Sequence, residues 1–325
     1  MAKLKAQFNE VRENLAEVIP LATPFVIYVE ISSLCNLECK FCPQHISPEA
    51  ILKKNMTFDI FKKMVDDIND FSIKPKLLRF CGLGDSLMNK DFISMVKYAS
   101  DSQVAERLEL ITNGALLNDK YISELPKYLD RIIISIEGLS DEDYLNFTNR
   151  KINFDLLVKK ISLLSKQKSK ATVHTKIHNS AVMTQERKDY FFHLFRPIAD
   201  EVYIENLVDL WPEIKSNLGI EAGHRFDSGE INSIKVCPQI FKSMQVNSDG
   251  RVIPCCIDWK GINIIGDISK TNLKDIWNGE PLKKLRIKHL LGLRDTFSPC
   301  KGCTMNEYSD KDNLDNYADI IINKI

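Results

Sequence analysis

The sequence lacks an excess of charge of either sign. Its 325 residues include 44 Lys plus Arg and 44 Asp plus Glu, so the formal net charge at pH 7 is zero. Nucleic acids and anionic membranes attract proteins through basic charge. We therefore expect neither as a partner.

Long apolar stretches are also missing. No segment approaches the run of about 20 apolar residues that crosses a membrane, and charges are scattered through the N-terminus where a signal peptide would be apolar. We therefore expect a cytoplasmic protein. In that reducing compartment the nine cysteines should not form disulfides, so clustered cysteines indicate metal ligands or reactive thiols.

Residues 25 to about 210 alternate short β-rich runs with segments of helical spacing. The predicted strands are 25–31, 76–81, 107–112, 131–137, 170–178 and 202–206, and the predicted helices are 57–70, 91–100, 118–128, 154–166 and 184–196. Right-handed crossovers between such units predict an α/β fold, a partial (β/α)6 TIM-like barrel, with functional loops at the C-terminal ends of the strands.

We divide the chain into four parts. Residues 1–24 are an N-terminal extension, 25–211 the barrel core, 212–310 a smaller unit richer in Gly, Pro and Cys, and 311–325 a terminal helix. In that helix Leu314, Tyr317, Ile320 and Ile321 are spaced as one apolar face, which we expect to pack on the body.

The first cysteine group comprises Cys35, Cys39 and Cys42, directly after the first predicted strand. Three thiolates on one short loop suit a 4Fe-4S cluster with one iron left open. A structural zinc site is the alternative, but it needs a fourth ligand, and His45 is the only other candidate nearby.

The second group comprises Cys237, Cys255, Cys300 and Cys303, enough for one closed site. Zinc is a serious alternative to a cluster here, because four cysteines are a common structural zinc site. Cys256 is an extra thiol. It is a buried bystander, a substitute for Cys255, or a hydrogen-atom donor.

The first cysteine loop, with Phe41 before its third cysteine, resembles the signature of the radical S-adenosylmethionine (radical SAM) superfamily. The resemblance implies that S-adenosylmethionine binds the open iron and is cleaved reductively. The resulting 5′-deoxyadenosyl radical takes a hydrogen atom from the substrate. The resemblance also implies a flavodoxin- or ferredoxin-type electron donor, and it puts Phe41 against the adenine.

Motifs after the next three strands are similar to cofactor-binding turns of the same family. They are the glycine-rich turn with Gly82, Gly84 and Asp85, the turn with Thr112 and Asn113, and the strand end with Ser135 and Glu137. Asp85 and Ser86 depart from the Glu and Pro usual in the family. For Thr112 and Asn113, an ordinary turn before a helix is the alternative. Glu30, upstream of the cysteine loop, either belongs to the site or forms a buried ion pair.

The C-terminal unit resembles the SPASM domain in its shorter Twitch form. The matching residues are the four cysteines of the second group and the Asp249-Gly250 turn between two β-rich runs, which predicts a hairpin. The resemblance implies one auxiliary 4Fe-4S cluster.

For the substrate we favour a hydroxylated small molecule of the sugar or cyclitol type, because only about two dozen residues precede the first strand. The favoured reaction is a two-electron oxidation in which the auxiliary cluster accepts an electron, as in an oxidoreductase. Alternatives are a radical epimerase with a cysteine as hydrogen-atom donor, a peptide or protein maturase, and, outside this enzyme class, a zinc-binding or electron-carrier protein.

Five residues are candidates for handling the substrate. On strand five, His174, Lys176 and His178 share one face and could bind hydroxyls or take the alcohol proton, unless they are surface or supporting residues. Cys81, at the end of strand two, is a hydrogen-atom donor or an inert packing thiol. Cys256 is the fifth.

Overall fold

The fold is built on one open sheet of nine strands. The computed structural model describes residues 13–167, 169–208, 210–211 and 232–325. The strands are β1 (Val26–Val29), β2 (Leu77–Phe80), β3 (Leu108–Thr112), β4 (Arg131–Ile136), β5 (Thr172–His178), β6 (Glu201–Glu205), β7 (Ser243–Val246), β8 (Arg251–Ile253) and β9 (Gly266–Asp267). Their order across the sheet is β6-β5-β4-β3-β2-β1-β7-β8-β9.

Helices cover the outer face of the sheet and connect its strands. The α-helices are α1 (Leu15–Val18), α2 (Pro43–Ile46), α3 (Phe58–Asn69), α4 (Phe92–Asp101), α5 (Asp119–Tyr128), α6 (Asp141–Thr148), α7 (Phe154–Ser165), α8 (Gln185–Phe195), α9 (Gln239–Lys242), α10 (Leu273–Trp277), α11 (Glu280–Leu290) and α12 (Ala318–Ile322). Short 3-10 helices span Pro48–Ala50, Ser86–Met88, Asn179–Ala181, Arg294–Thr296, Asp310–Asp312 and Asp315–Tyr317. None of the helices in the described ranges is long and apolar enough to span a membrane.

The six predicted strands and the five predicted helices are confirmed, with ends that differ by at most two residues. β1 to β6 pair in parallel, so all six end at the same edge of the sheet. Ile132 and Ile134 of β4 are fully buried in the core between sheet and helices, and Ile133 is fully buried on the opposite face. Burial on both faces explains the nearly continuous apolar run of this strand.

Helix α6 was not predicted from the sequence. Its first turn contains three acidic residues, and the Ser140 side chain accepts a hydrogen bond from the amide of Asp143. Both features stabilise a helix N-terminus. The helix is short and mostly polar, so it shows almost no apolar stripe, and only Tyr144 and Thr148 are buried.

The predicted hairpin is confirmed, and it extends the barrel sheet. β7 and β8 pair antiparallel around Gly250, whose φ of +90° is a conformation that favours glycine. On its other side β7 pairs in parallel with β1. The chain on both sides of the predicted boundary at residues 211 and 212 therefore shares one sheet. The boundary itself lies next to residues outside the described ranges and stays a prediction.

The predicted apolar face of the C-terminal helix is wrong in part. Leu314 and Ile321 are fully buried, whereas Tyr317 is 39% and Ile320 55% exposed. A 3-10 helix precedes α12 and tightens the turn to about three residues. The spacing of a continuous α-helix is therefore lost, and only two of the four side chains reach the core.

Candidate active site and auxiliary cysteine site

The first cysteine group lies on the loop between β1 and α2. Cys42 is the residue before α2, and its amide donates to the carbonyl of Cys39 at 2.9 Å. All three thiols are free and partly exposed. Burial raises the pKa of Cys35 to about 12 and that of Cys42 to about 11. Thiols of this kind are deprotonated by metal coordination, so the donor set fits an iron centre.

His45, the other candidate ligand near this loop, contacts Asn149. Its Nδ1 lies 3.2 Å from the Asn149 side-chain nitrogen. Across the described ranges, no three His, Cys, Asp or Glu side chains form a group that could hold a metal ion. A 4Fe-4S cluster is wider than one zinc ion, and three thiolates suffice when one iron stays open. The loop therefore fits a cluster better than zinc.

The glycine-rich turn packs directly against the cysteine loop. A Cβ at Gly84 would lie 2.3 Å from the carbonyl oxygens of Ser32 and Leu34, and a Cβ at Gly82 would lie 2.5 Å from the Glu30 side chain. Glu30 forms no ion pair with the residues that the structure describes. Its carboxylate accepts hydrogen bonds from the Leu83 amide at 3.0 Å and the Ser248 hydroxyl at 3.0 Å. Both glycines are thus required by close contact.

Asp85 is buried between the turn after β2 and the end of β3. Its carboxylate, 4% exposed, accepts hydrogen bonds from the Leu87 amide at 2.9 Å, the Thr112 hydroxyl at 2.7 Å and the Asn113 amide at 2.9 Å. Burial raises the pKa of this carboxyl against the effect of those bonds. Protein donors therefore already bind both oxygens of this carboxylate, and Asp85 joins the turn after β2 to the end of β3.

Asn113 connects the end of β3 to the cysteine loop. Its side-chain nitrogen donates to Asn36 Oδ1 at 3.0 Å and lies 3.9 Å from Cys35 Sγ. Thr112 is connected to the glycine-rich turn by its hydrogen bond to Asp85. The turn is thus tied to the cysteine loop rather than being an ordinary turn before a helix. Asn36 was not singled out from the sequence, although it directly follows the first cysteine.

A pocket of about 190 Å³ opens at the C-terminal ends of β4, β5 and β6. Its lining includes five predicted site residues, namely Phe41, Ser135, Glu137, Lys176 and His178. Lys176 donates to Glu205 at 2.5 Å, and His178 Nε2 lies 3.7 Å from Glu137 Oε2. Burial raises the pKa of Glu137 to about 7, although Lys176 opposes the shift. The pocket is therefore rich in charge and able to hold protons.

His178 is neutral in this pocket. Burial lowers its pKa to about 4. Its Nδ1 lies 2.6 Å from the Ser180 hydroxyl, and its Nε2 has no hydrogen-bond partner among the described residues. The ring stacks on Phe147 at 4.2 Å, and Phe147 lies 5.8 Å from Phe41. Phe147 was not singled out from the sequence because it lies on helix α6, which was not predicted. The Ser140 cap followed by acidic residues was the available signal.

The structure does not bring His174 to this pocket. The three strand-five residues do share a face, but His174 lies near the other end of β5. Its Nδ1 is 3.1 Å from Glu201 and its Nε2 3.0 Å from the Thr172 hydroxyl. Parallel strands present their functional loops at the C-terminal edge, and His174 is four residues before that edge. It is a supporting residue.

Cys81 lies just beyond β2, and its amide donates to the Val29 carbonyl at 3.1 Å. Burial raises the pKa of its thiol to about 11, although the positive charges of Arg79 and Lys176 oppose this shift. The thiol is therefore protonated at neutral pH and partly exposed. Both properties suit a hydrogen-atom donor, and neither excludes a packing role.

The second cysteine group converges on one small cavity. Cys237, Cys255, Cys300 and Cys303 all line it, with apolar walls that include Ile257, Pro299 and Met305. Burial raises the pKa of Cys237 and of Cys303 to about 12. Four thiols in an apolar enclosure fit a closed iron–sulfur site.

Cys256 lies outside the lining of that cavity. It hydrogen-bonds with Cys255, and both influence the pKa of Tyr28 in the barrel. Cys256 is therefore adjacent to the Cys255 thiol without lining the cavity. This placement does not favour it as the substitute for Cys255.

Family models match two parts of the chain. The model described as the radical SAM superfamily matches residues 29–191. The SPASM model, described as an iron–sulfur cluster-binding domain, matches residues 237–304. The two matches contain the first and the second cysteine group, respectively.

Among curated proteins, the chain is similar to a tungsten-containing aldehyde ferredoxin oxidoreductase cofactor-modifying protein from Pyrococcus furiosus. The two are 25% identical over 87% of this chain and 88% of that protein. A GTP 3′,8-cyclase from Clostridium perfringens is 24% identical over 69% of this chain and 64% of its own length.

Solved structures share the fold at low sequence identity. BtrN, in complex with AdoMet and 2-DOIA, has a TM-score of 0.55 and 19% identity, with 88% of this chain and 97% of that chain covered. The enzyme anSMEcpe with bound AdoMet has a TM-score of 0.61 and 15% identity, with 93% and 96% covered. The peptide-bound SuiB of Streptococcus suis has a TM-score of 0.56 and 13% identity, with 90% and 72% covered.

Proposed function

The chain belongs to the radical SAM superfamily, and we propose that it oxidises a hydroxylated small molecule of the sugar or cyclitol type by two electrons. It is an enzyme that uses S-adenosylmethionine and 4Fe-4S clusters. The observation that carries the proposed reaction is one pocket that holds two acid–base pairs, Lys176 with Glu205 and His178 with Glu137.

The residues at the barrel mouth suit the cofactors. In this proposal Cys35, Cys39 and Cys42 hold the catalytic cluster, while Phe41, Ser135 and Glu137 contact S-adenosylmethionine. Gly82, Gly84, Asp85, Thr112 and Asn113 fix the loop that carries the cysteines. When bound, the cofactors supply a radical that removes one hydrogen atom and, at the four cysteines of the second group, an acceptor for one electron.

The chain's own task is to bind the hydroxyl and remove its proton. Lys176 donates a hydrogen bond to the substrate oxygen. The proton passes to the His178–Glu137 pair. Within the pair Glu137 is the stronger base, because burial raises its pKa to about 7 and lowers that of His178 to about 4, while Ser180 positions the His178 ring. Loss of this proton makes the carbon-centred radical easier to oxidise.

Two curated relatives favour a small substrate, in contrast to the peptide bound in the SuiB structure. The two curated relatives described above are named for a cofactor and for GTP, and neither name refers to a peptide. The polar lining of the pocket is consistent with a substrate that carries several hydroxyl groups.

The test uses the anaerobically reconstituted enzyme with dithionite and a panel of sugars, cyclitols, aminocyclitols and peptides in separate reactions. We expect at least one compound to stimulate 5′-deoxyadenosine formation and to yield a product two hydrogens lighter. The matched variant Lys176→Met should weaken substrate binding and slow that oxidation. Stimulation by peptides alone would contradict the proposal.

Epimerisation is the second candidate, because the Cys81 thiol is protonated and partly exposed near Lys176. An epimerase returns a hydrogen atom to the substrate, so its product has the mass of the substrate in ordinary water and carries one deuterium, a gain of about one mass unit, in heavy water. The variant Cys81→Ala would abolish that exchange but leave a dehydrogenase active. Assaying product mass in heavy water with both proteins distinguishes the two reactions.

A further inference from the structure

A histidine in the second cysteine site has no partner in the protein. His289, in the last turn of α11, is 1% exposed, and neither ring nitrogen has a hydrogen-bond partner among the described residues. Its nearest aromatic neighbour is Phe297, at 5.7 Å between ring centroids. Burying polar nitrogens without hydrogen bonds is destabilising. An apolar side chain would pack here without that cost, so packing does not explain a histidine.

His289 lines the same cavity as the four cysteines. Three other polar side chains line that cavity in the described part of the chain, and all three have protein partners. Asp258 accepts from the amides of Ile262 and Asn263, Asn263 donates to the Ser298 carbonyl, and Arg294 donates to the Cys303 carbonyl. Among these polar lining side chains in the described residues, His289 is the one whose ring nitrogens both lack a hydrogen-bond partner.

The iron–sulfur cluster proposed for this cavity would accept a hydrogen bond from the His289 ring. Four cysteine thiolates with a 4Fe-4S core carry net negative charge, and their sulfurs accept hydrogen bonds. Such bonds stabilise the reduced, more negative state and therefore raise the reduction potential. The guanidinium of Arg294 also lines the cavity and adds positive charge, but its Nη1 hydrogens bind the Cys303 carbonyl and Asn306, and its Nη2 pairs with Asp295.

We propose that the His289 imidazole donates an N–H hydrogen bond to a sulfur of the auxiliary cluster and raises its reduction potential. This inference rests on the proposed assignment of Cys237, Cys255, Cys300 and Cys303 as the ligands of that cluster. His289 is a positioning and tuning residue rather than a ligand. It makes the cluster a better acceptor for the electron that the substrate releases.

The test isolates the auxiliary cluster in the full-length chain. In the background Cys35→Ala, Cys39→Ala and Cys42→Ala, one reconstituted cluster should remain. Its midpoint potential is measured by redox titration followed by electron paramagnetic resonance. In this background His289→Phe keeps a flat ring but removes the N–H, and His289→Gln restores an N–H donor. His193→Phe, at an exposed position on α8, is the matched control.

We expect His289→Phe to lower the midpoint potential and to remove an exchangeable-proton coupling from the spectrum of the reduced cluster. Iron content should stay unchanged, and thermal stability should not fall, because Phe suits an apolar cavity. His289→Gln should recover most of the potential, and His193→Phe should match the background. If the Phe variant fails to fold, His289→Leu, which also lacks an N–H, should show the same lowered potential relative to His289→Gln.

Two outcomes would overturn the inference and are distinguishable. A cluster whose potential is the same with His, Phe and Gln at position 289 would refute the role of His289 alone. A background protein without iron would refute the ligand assignment, and the role of His289 with it.

Discussion

At the start of β5, His174 is buried and neutral although it shares a strand face with Lys176 and His178. Burial, assisted by Arg131 and Arg107, lowers its pKa to about 3 from an ordinary value of 6.5. The period of two predicts the face of a strand on which a side chain lies. It does not predict whether the side chain lies close enough to the C-terminal edge of the sheet to reach the pocket. This is why the sequence grouped three residues that the structure separates.

The depressed pKa of His174 predicts a loss of stability in acid. The unfolded chain binds a proton below about pH 6.5, while the folded chain resists protonation until about pH 3. The contribution of the neutral His174 ring to the free energy of unfolding is therefore present above pH 6.5 and is lost as the pH falls below that value. Between pH 7.5 and 5.5 this group should remove roughly 1 kcal/mol from the free energy of unfolding.

Urea unfolding at these two pH values checks the effect. His174→Gln should lose roughly 1 kcal/mol less than the parent over the interval, while the exposed-site control His193→Gln should lose as much as the parent. Equal pH dependence in His174→Gln and the parent would show that the ring is not held neutral.

Among the elements, the glycine-rich turn and the cysteine loop form one unit. The Asp85 amide donates to the Leu34 carbonyl at 2.9 Å, and Gly84 packs against the same carbonyl. The sequence located the turn by its similarity to a cofactor-binding motif. It could not show that the turn supports the cysteine loop, because that contact joins residues about 50 positions apart.

Gly84→Ala should therefore disrupt the catalytic cysteine loop. Its Cβ would lie 2.3 Å from two backbone oxygens, which cannot move aside as a flexible side chain can. We expect the variant to lose most of the iron bound at this loop and nearly all formation of 5′-deoxyadenosine. Iron at the second cysteine group should remain.

Gly292→Ala is the matched control, since its Cβ would meet nothing within 4 Å. Its φ of +72° costs about 1–2 kcal/mol for a residue with a Cβ, but both clusters should be retained. Iron and sulfide analysis of both variants, with the second cysteine group intact, makes the comparison. Full iron in Gly84→Ala would contradict the contact.

Across the whole molecule, one sheet links the two cysteine groups. Regular periodicity predicted β1 to β6, and the Asp-Gly turn predicted the β7–β8 hairpin. The pairing of β7 with β1 was beyond sequence reasoning, because it joins residues more than 200 positions apart and leaves no local pattern. This pairing and the bond between Glu30 and Ser248 hold the second cysteine group at a fixed place beside the barrel.

Such a fixed arrangement suits electron transfer from the barrel to the second cysteine group, and this yields a prediction about the whole enzyme. In Cys300→Ala/Cys303→Ala, two of four proposed ligands are lost, so the auxiliary cluster should not assemble. The first cysteine loop lies on another part of the sheet and should still support formation of 5′-deoxyadenosine.

The oxidised product should fall at least tenfold relative to 5′-deoxyadenosine, because the remaining electron has no acceptor close to the substrate. Lys301→Ala, an exposed change between the same two cysteines, should keep the parent ratio of product to 5′-deoxyadenosine. Chromatographic measurement of both compounds in single-turnover reactions gives this ratio. An unchanged ratio in the double variant would mean that the electron leaves by another route, and the second cysteine group would then serve the fold rather than the reaction.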